Sequence, residues 1–94
     1  MKSIYKYPVS VPYALPDKAT IKVHEGARLL SVKTQHNQLV IYAVVDTDHK
    51  LEDMHLLFIG TGNKTAGDDF DHTQYLGTEL FMDGSWVVHV FAYQ

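Results

Sequence analysis

The residues best suited to chemistry are those of a glycine-rich segment, Gly60-Thr61-Gly62-Asn63-Lys64-Thr65. A phosphate-binding P-loop has four residues between its first glycine and Gly-Lys-Ser/Thr, and a helix follows whose N-terminus faces the phosphate. In this chain the lysine follows an asparagine, and no helical pattern comes after it. The dinucleotide-binding pattern also fails, because Thr65 stands at the position of its third glycine. The segment therefore indicates a strand that ends in a sharp turn, with a backbone nest for an anion as the functional alternative.

A second candidate is the acidic stretch Asp68-Asp69-Phe70-Asp71-His72, whose carboxylates and imidazole are natural metal ligands. The stretch lacks the central glycine and the bidentate glutamate of a calcium-binding loop. One histidine is too few for a tetrahedral zinc site unless Glu79 or a distant histidine joins it. We therefore expect a solvated acidic loop, with no metal and no cofactor bound.

Nucleophilic and acid–base chemistry have little support in the sequence. There is no cysteine, and no serine lies in a nucleophile-elbow pattern. His89 sits in an otherwise apolar strand, so we expect a half-buried histidine with satisfied hydrogen bonds and not a general base. A His/Asp pair that meets only in space stays open as an alternative, but nothing singles one out. We therefore expect a protein that is not an enzyme.

Tyrosine accounts for six of the eleven aromatic residues. Its ring is apolar and its hydroxyl is polar, so tyrosine suits surfaces that stay partly wet, as at protein interfaces. Ordinary sheet packing explains most of these residues, yet the surplus is the best indication of protein or ligand contact. The candidate partner- or ligand-binding residues are Gly60, Thr61, Gly62, Lys64, Asp68, Asp69, Tyr75, Gly77 and Thr78.

Size and composition limit the alternatives. A chain of 94 residues and 10.7 kDa supports one domain, residues 1–94. The net charge of −3 has the wrong sign for a general nucleic-acid binder. No apolar run approaches the roughly 20 residues of a membrane-spanning helix, and the N-terminus lacks the apolar core of a secretory signal. Since there is also no cysteine for disulfides, we expect a cytoplasmic protein with neither a membrane nor a nucleic-acid partner.

Hydrophobic and polar residues alternate along most of the chain, which is typical of half-buried strands. Strand patterns occur at residues 3–7, 19–24, 29–35, 39–45, 54–59, 74–82 and 86–93. Turns separate them, and the strongest hairpin signal is Asp83-Gly84. Because no segment has a convincing helical pattern, the chain is predicted to be all-β: a small antiparallel β-sandwich or flattened barrel of six to seven strands.

Two of these strands, at residues 39–45 and 86–93, are apolar on both faces. Such strands are central in a sheet and covered on both sides. A chain this short has few elements to supply that cover, so either a second sheet or another subunit must supply it. We favour a homo-oligomer.

The order and approximate spacing of six stretches carry a resemblance that extends over nearly the whole chain. The stretches are residues 2–8, 26–32, 42–46, 60–62, 75–78 and 89–91. In them the sequence resembles a family of small uncharacterised bacteriophage and prophage proteins, a domain of unknown function. Tyr42 departs from the tryptophan common in that family, and the 46–56 segment lacks its proline and arginine. The resemblance implies a phage accessory protein, and such proteins commonly bind a host enzyme or defence complex or sequester a signalling nucleotide.

The favoured hypothesis is an accessory binding protein that acts without catalysis on a host target, for example as a host-defence inhibitor in the host cytoplasm. Loops 46–53 and 60–73 and the tyrosine-bearing sheet edges would contact a host or phage protein. The alternative is a small-ligand sponge, in which residues 60–62 and a Gly77-Thr78 turn hold the phosphate of a signalling nucleotide and an aromatic ring stacks on its base. The third hypothesis is a structural or virion-associated protein.

Overall fold

The computed structural model describes residues 1–65 and 70–94, and within them the chain forms seven β-strands. The strands are β1 (Lys2–Val9), β2 (Asp17–His24), β3 (Arg28–Gln35), β4 (Gln38–Asp46), β5 (Leu51–Gly60), β6 (Gln74–Phe81) and β7 (Trp86–Tyr93). One sheet has the order β1-β4-β3 and the other the order β2-β5-β7-β6, and all paired strands are antiparallel. The two sheets do not close into a barrel, so the sandwich is the predicted architecture that is confirmed.

The core lies between the two sheets and follows from the alternation of apolar residues along each strand. On β4, the side chains at positions 39, 41, 43 and 45 point inward, and each is at most 1% exposed. The residues that face them from the four-stranded sheet and are 0% exposed are Val23, Leu56, Phe58, Val88 and Val90. Alternate residues of the two sheets therefore meet in one core.

Each sheet covers one face of the other's central strands. The predicted central strands are confirmed, since β4 lies between β1 and β3 and β7 lies between β5 and β6. On the outer face of β4, Val40 is 3% exposed, while Tyr42 and Val44 are half-buried. A second sheet thus supplies the cover on the inner faces, and the homo-oligomer stays a prediction for the outer ones.

Tight turns join strands where the sequence indicates them. His36 and Asn37 link β3 to β4 and have φ values of 53° and 61°. A type I′ hairpin turn needs positive φ at both central residues, and histidine and asparagine adopt it more readily than most. The hairpin predicted at Asp83-Gly84 is also confirmed, but its link has four residues, 82–85, and includes a short 3₁₀ turn.

The predicted loop at residues 46–53 is wrong in its extent. β4 continues to Asp46 and β5 begins at Leu51, so only residues 47–50 connect them. Residues 51–53 pair with β2 in continuous antiparallel register. This pairing overrides the polar local composition, because strand formation depends more on cross-strand neighbours than on intrinsic preference.

The turn between β4 and β5 holds the amino group of Met1. The ammonium donates hydrogen bonds to Asp46 Oδ1 at 2.9 Å and to Asp48 Oδ2 at 2.6 Å. The bond from the ammonium lowers the pKa of Asp46, and the bond to Asp48 raises the pKa of the Met1 ammonium. Acid therefore breaks this contact by protonating Asp46, and base breaks it by deprotonating the Met1 ammonium.

We expect this contact to stabilise the fold only between two pH limits. Because folding lowers the pKa of Asp46, its contribution is present above the ordinary value of 3.8 and is lost as the pH falls through the lowered value. Because folding raises the pKa of the Met1 ammonium, its contribution is present below 8.0 and is lost as the pH rises through the raised value. Thermal melts of wild type and Asp46→Asn, taken from well below pH 3.8 to well above pH 8.0, test this. The melting temperatures should differ at neutral pH and converge at both ends, and a constant offset would contradict the prediction.

Candidate functional site

One side-chain network lies on the outer face of the four-stranded sheet and is centred on His89. Along β7, Val88 and Val90 point into the core, so the alternation turns His89 outward. Its Nε2 atom lies 2.7 Å from Thr61 Oγ1, and its Nδ1 atom lies 2.8 Å from Thr78 Oγ1. Both ring nitrogens are hydrogen-bonded, so the predicted half-buried and satisfied histidine is confirmed.

The network extends to Tyr75 through two hydroxyl groups. Tyr75 Oη and Thr78 Oγ1 share a hydrogen bond of 2.5 Å. Thr78 stands directly opposite His89 in the register of β6 and β7, whereas Thr61 comes from the turn after β5. Three predicted binding residues are thus brought together by a histidine that was not among them. The sequence signal for that histidine was its outward position in the alternation of the last strand.

Aromatic rings surround this network on the same face of the sheet. The ring centroid of Phe91 lies 5.4 Å from that of Tyr75 and 5.3 Å from that of Phe70. Tyr75, Leu80 and Phe70 are 57%, 60% and 45% exposed. We call this surface the aromatic face, and it consists of Thr61, Phe70, Tyr75, Thr78, Leu80, His89 and Phe91.

The glycine-rich segment forms the turn at the end of β5, as the favoured interpretation predicts. The N–H of Asn63 donates to the carbonyl of Gly60 at 3.0 Å, and the N–H of Gly60 donates to Asn63 Oδ1 at 2.6 Å. Gly62 has a φ of 86°, a conformation that favours glycine. Because these two N–H groups bond within the turn, they are not directed at an anion. Lys64 follows the turn and is exposed.

The predicted turn at Gly77 and Thr78 is wrong. Both residues lie in β6, where the register with β7 shifts between residues 75 and 77. Thr78 faces outward to His89, whereas a Cβ atom at Gly77 would lie 2.8 Å from Cγ1 of Val32 on β3. Gly77 therefore allows the two sheets to pack closely, and it does not share a surface with Thr78.

The structure describes some of the acidic candidate residues and not others. Asp68 and Asp69 lie outside the described residues, so their binding role stays a prediction. Asp71 and His72 are exposed. In the ranges 1–65 and 70–94, no three histidine, aspartate or glutamate residues come together in an arrangement that could hold a metal ion.

The comparisons with known proteins identify a family. A family model for a domain of unknown function, DUF7352, matches residues 1–94. The chain belongs to the DUF7352 family. The expected membership of an uncharacterised family is thereby confirmed, while no curated protein and no solved structure matches the chain. In the described part of this DUF7352 chain, no helix has the length and apolar character needed to cross a membrane.

Two lysines of β2 in the DUF7352 chain have partners on other strands of the same sheet. Lys22 on β2 forms an ion pair with Asp53 on β5, and its hydrogen bond holds the pKa of Asp53 below the usual range. The Nζ atom of Lys18 lies 5.9 Å from the ring centroid of Tyr93. The network itself consists of three hydroxyls and one imidazole. It places polar groups that are held by hydrogen bonds beside apolar rings.

Proposed function

We propose that this DUF7352 protein is an accessory binding protein that acts without catalysis and contacts a partner protein through the aromatic face. The observation that carries the proposal is the network around His89, in which four side chains are held by hydrogen bonds of 2.7, 2.8 and 2.5 Å. Side chains that are already ordered lose less conformational entropy on binding. More of the contact energy therefore appears as affinity.

The composition of the aromatic face fits a protein partner. Tyr75 and Leu80 offer exposed apolar area next to the hydroxyl groups and the imidazole. Aromatic residues are enriched at the centres of protein interfaces, where a few of them contribute most of the binding energy. A specific complex buries about 800 Å² on each partner, so the aromatic face would form the centre of a larger contact.

The resemblance to phage proteins supports a finer form of the proposal. In that form the protein is encoded by a phage, acts in the host cytoplasm and binds a host target, with inhibition of host defence as the leading example. A structural or virion-associated role would place the same face against another phage protein. Self-association is a separate prediction, which light scattering tests.

The small-ligand alternative has weaker support. Two N–H groups of residues 60–63 bond within their own turn. Gly77, the other half of the expected phosphate site, packs toward Val32 in the space between the sheets. The residues that this alternative needs for one phosphate site therefore do not share one surface.

A photo-crosslinking amino acid placed at position 80 tests the proposal, with position 13 as the matched control. Leu80 is 60% exposed on the aromatic face, and Tyr13 is 101% exposed in the connection between β1 and β2. We expect a protein from a bacterial lysate to crosslink at position 80 and not at position 13. The purified partner should then bind Leu80→Ser at least about tenfold more weakly, a loss of about 1.4 kcal/mol, and should bind Tyr13→Ser as it binds wild type.

Equal binding of the partner to both serine variants would contradict the proposal. A second pair of results would also contradict the proposal: no protein crosslinks at position 80, and one nucleotide from a panel shifts the melting temperature by several degrees. Ligands stabilise the state that they bind, so that second result would support the small-ligand alternative instead.

A further inference from the structure

Charge is divided unevenly between the three-stranded sheet and the rest of the chain. Strands β1, β3 and β4 together carry four basic residues and one acidic residue, whereas the rest of the chain carries four basic and ten acidic residues. The three-stranded sheet thus has a formal charge of +3 and the remainder −6, although the chain as a whole is at −3. A separation of this size creates a surface potential that the net charge conceals.

All four basic residues of the three-stranded sheet lie on its outer face. They are Lys2, Lys6, Arg28 and Lys33, and all are exposed. Each stands directly opposite an even-numbered residue of β4, and the odd-numbered residues of that strand point into the core. Directly opposite residues share a face of a sheet, so the four cations share the outer one. We call this surface the basic face.

The cations of the basic face are not neutralised by the described part of the chain. None of the four forms an ion pair there, and Lys6 donates a hydrogen bond of 3.2 Å to a glutamine side chain. Asp46, the acid of this sheet, accepts a hydrogen bond from the Met1 ammonium. By contrast, Lys22 and Lys50 elsewhere in the chain both form ion pairs.

An apolar stripe runs between the flanking cations. Val40, Tyr42 and Val44 on β4 form its floor, where Val40 is 3% exposed and the other two are half-buried. Ile4, which is 62% exposed, stands opposite Val44 and offers the largest accessible apolar side chain of the stripe. At about 3.3 Å per residue the stripe is about 13 Å long, and three strands about 4.8 Å apart span about 10 Å. An α-helix is about 10 Å across and advances about 5.4 Å per turn, so two to three turns would cover the stripe.

We propose that the basic face binds an acidic amphipathic helix of a partner protein, separately from the contact made by the aromatic face. Apolar side chains of the helix would lie on the stripe, and carboxylates on its two flanks would meet the lysines and the arginine. A second copy of this chain fits the basic face less well than an acidic helix, because the like charges of two basic faces would oppose each other. Nucleic acid fits less well, since single-stranded binders present several exposed rings to successive bases, whereas the stripe has one aromatic residue, Tyr42, which is half-buried.

The test uses the full chain labelled with ¹⁵N and a synthetic helical peptide of about 14 residues, with leucines at i, i+3, i+4 and i+7 flanked by glutamates. Two double charge reversals with the same change in net charge are compared: Lys6→Glu with Lys33→Glu, and Lys18→Glu with Lys50→Glu. We expect amide shift changes in β1, β3 and β4. The dissociation constant should rise at least about tenfold in the first double variant only, and added salt should weaken binding to wild type.

Equal effects in the two double variants would overturn the proposal, because they would report net charge alone. Amide shift changes confined to the four-stranded sheet would overturn it. So would equal affinity for a control peptide in which lysines replace the glutamates, and so would the absence of binding at millimolar peptide. Tighter binding of an oligothymidylate or of phosphatidylserine vesicles to the basic face would assign the face to another class of partner. Circular dichroism verifies that the variants fold. Leu80 is not on this face, so the result is independent of the crosslinking experiment.

Discussion

Replacing Gly77 with alanine is expected to lower the free energy of unfolding by about 1–2 kcal/mol. The new Cβ atom would lie 2.8 Å from Cγ1 of Val32, well inside the contact distance of two carbon atoms. Val32 is 3% exposed and β-branched, so it has few other rotamers to adopt. Alanine is favoured over glycine in a strand by about 0.5–1 kcal/mol, which offsets only part of this cost.

Urea unfolding measures this change directly, and the melting temperature should fall by about 4–8 °C for each kcal/mol in a domain of this size. Val32→Ala is the matched second substitution, because it removes the atom that the new Cβ would strike. In that background Gly77→Ala should be less destabilising by at least about 0.5 kcal/mol. Strict additivity of the two substitutions would show that the contact does not limit stability. If Gly77→Ala is as stable as wild type, Gly77 does not limit the packing of the sheets and is again a candidate ligand contact.

His89→Phe is expected to lower the free energy of unfolding by about 1–3 kcal/mol, because it keeps a ring of similar size but removes two hydrogen bonds worth about 0.5–1.5 kcal/mol each. The two bonds join His89 to Thr61 and Thr78, at 2.7 and 2.8 Å. Thr78 is partly buried, so its hydroxyl is not fully compensated by water. The substitution also removes the hydrogen bond that holds Thr61 and leaves Thr78 bonded to Tyr75 alone. We therefore expect it to weaken binding of a partner captured through the aromatic face.

His55→Phe is the matched control for this prediction. His55 lies on the same face, and within residues 1–65 and 70–94 its ring has one side-chain hydrogen bond in place of two, which joins Nδ1 and Thr20 Oγ1 at 2.9 Å. Its ring also contacts Tyr93, at a centroid distance of 5.1 Å, and phenylalanine preserves that contact. Urea unfolding should show a loss about half as large as that of His89→Phe. Equal losses, or a neutral His89→Phe, would contradict the view that the network orders the aromatic face.

The positions of the strands follow from local sequence. The predicted strands at residues 39–45 and 86–93 match β4 and β7 within one residue at each end. Alternation is a property of one extended strand, so it shows which side chains share a face before any partner strand is known. Turns with positive φ, as at Asn37 and Gly62, are local as well, because they depend on residues that tolerate that conformation.

The extent of β5 and the role of Gly77 could not be inferred in the same way. Residues 51–53 look like a polar loop, yet they pair with β2. Gly77 looks like a turn residue, yet it lies in β6 and faces Val32 on β3. In both cases the deciding neighbour is distant in the chain, and pairing with that neighbour outweighs the local preference of the residues.

The two candidate surfaces show the same division. The sequence indicated Thr61, Tyr75 and Thr78 by residue type, but the lysines and the arginine of the basic face are far apart in it and form no run. Sheet order alone puts Thr78 opposite His89 and aligns cations from β1 and β3 on either side of β4. A strand's own residues fix which way each side chain points, but they do not specify which strand lies beside it. That choice is made when two sheets close over one core, because burial of the apolar faces favours the single pairing that brings all of them together.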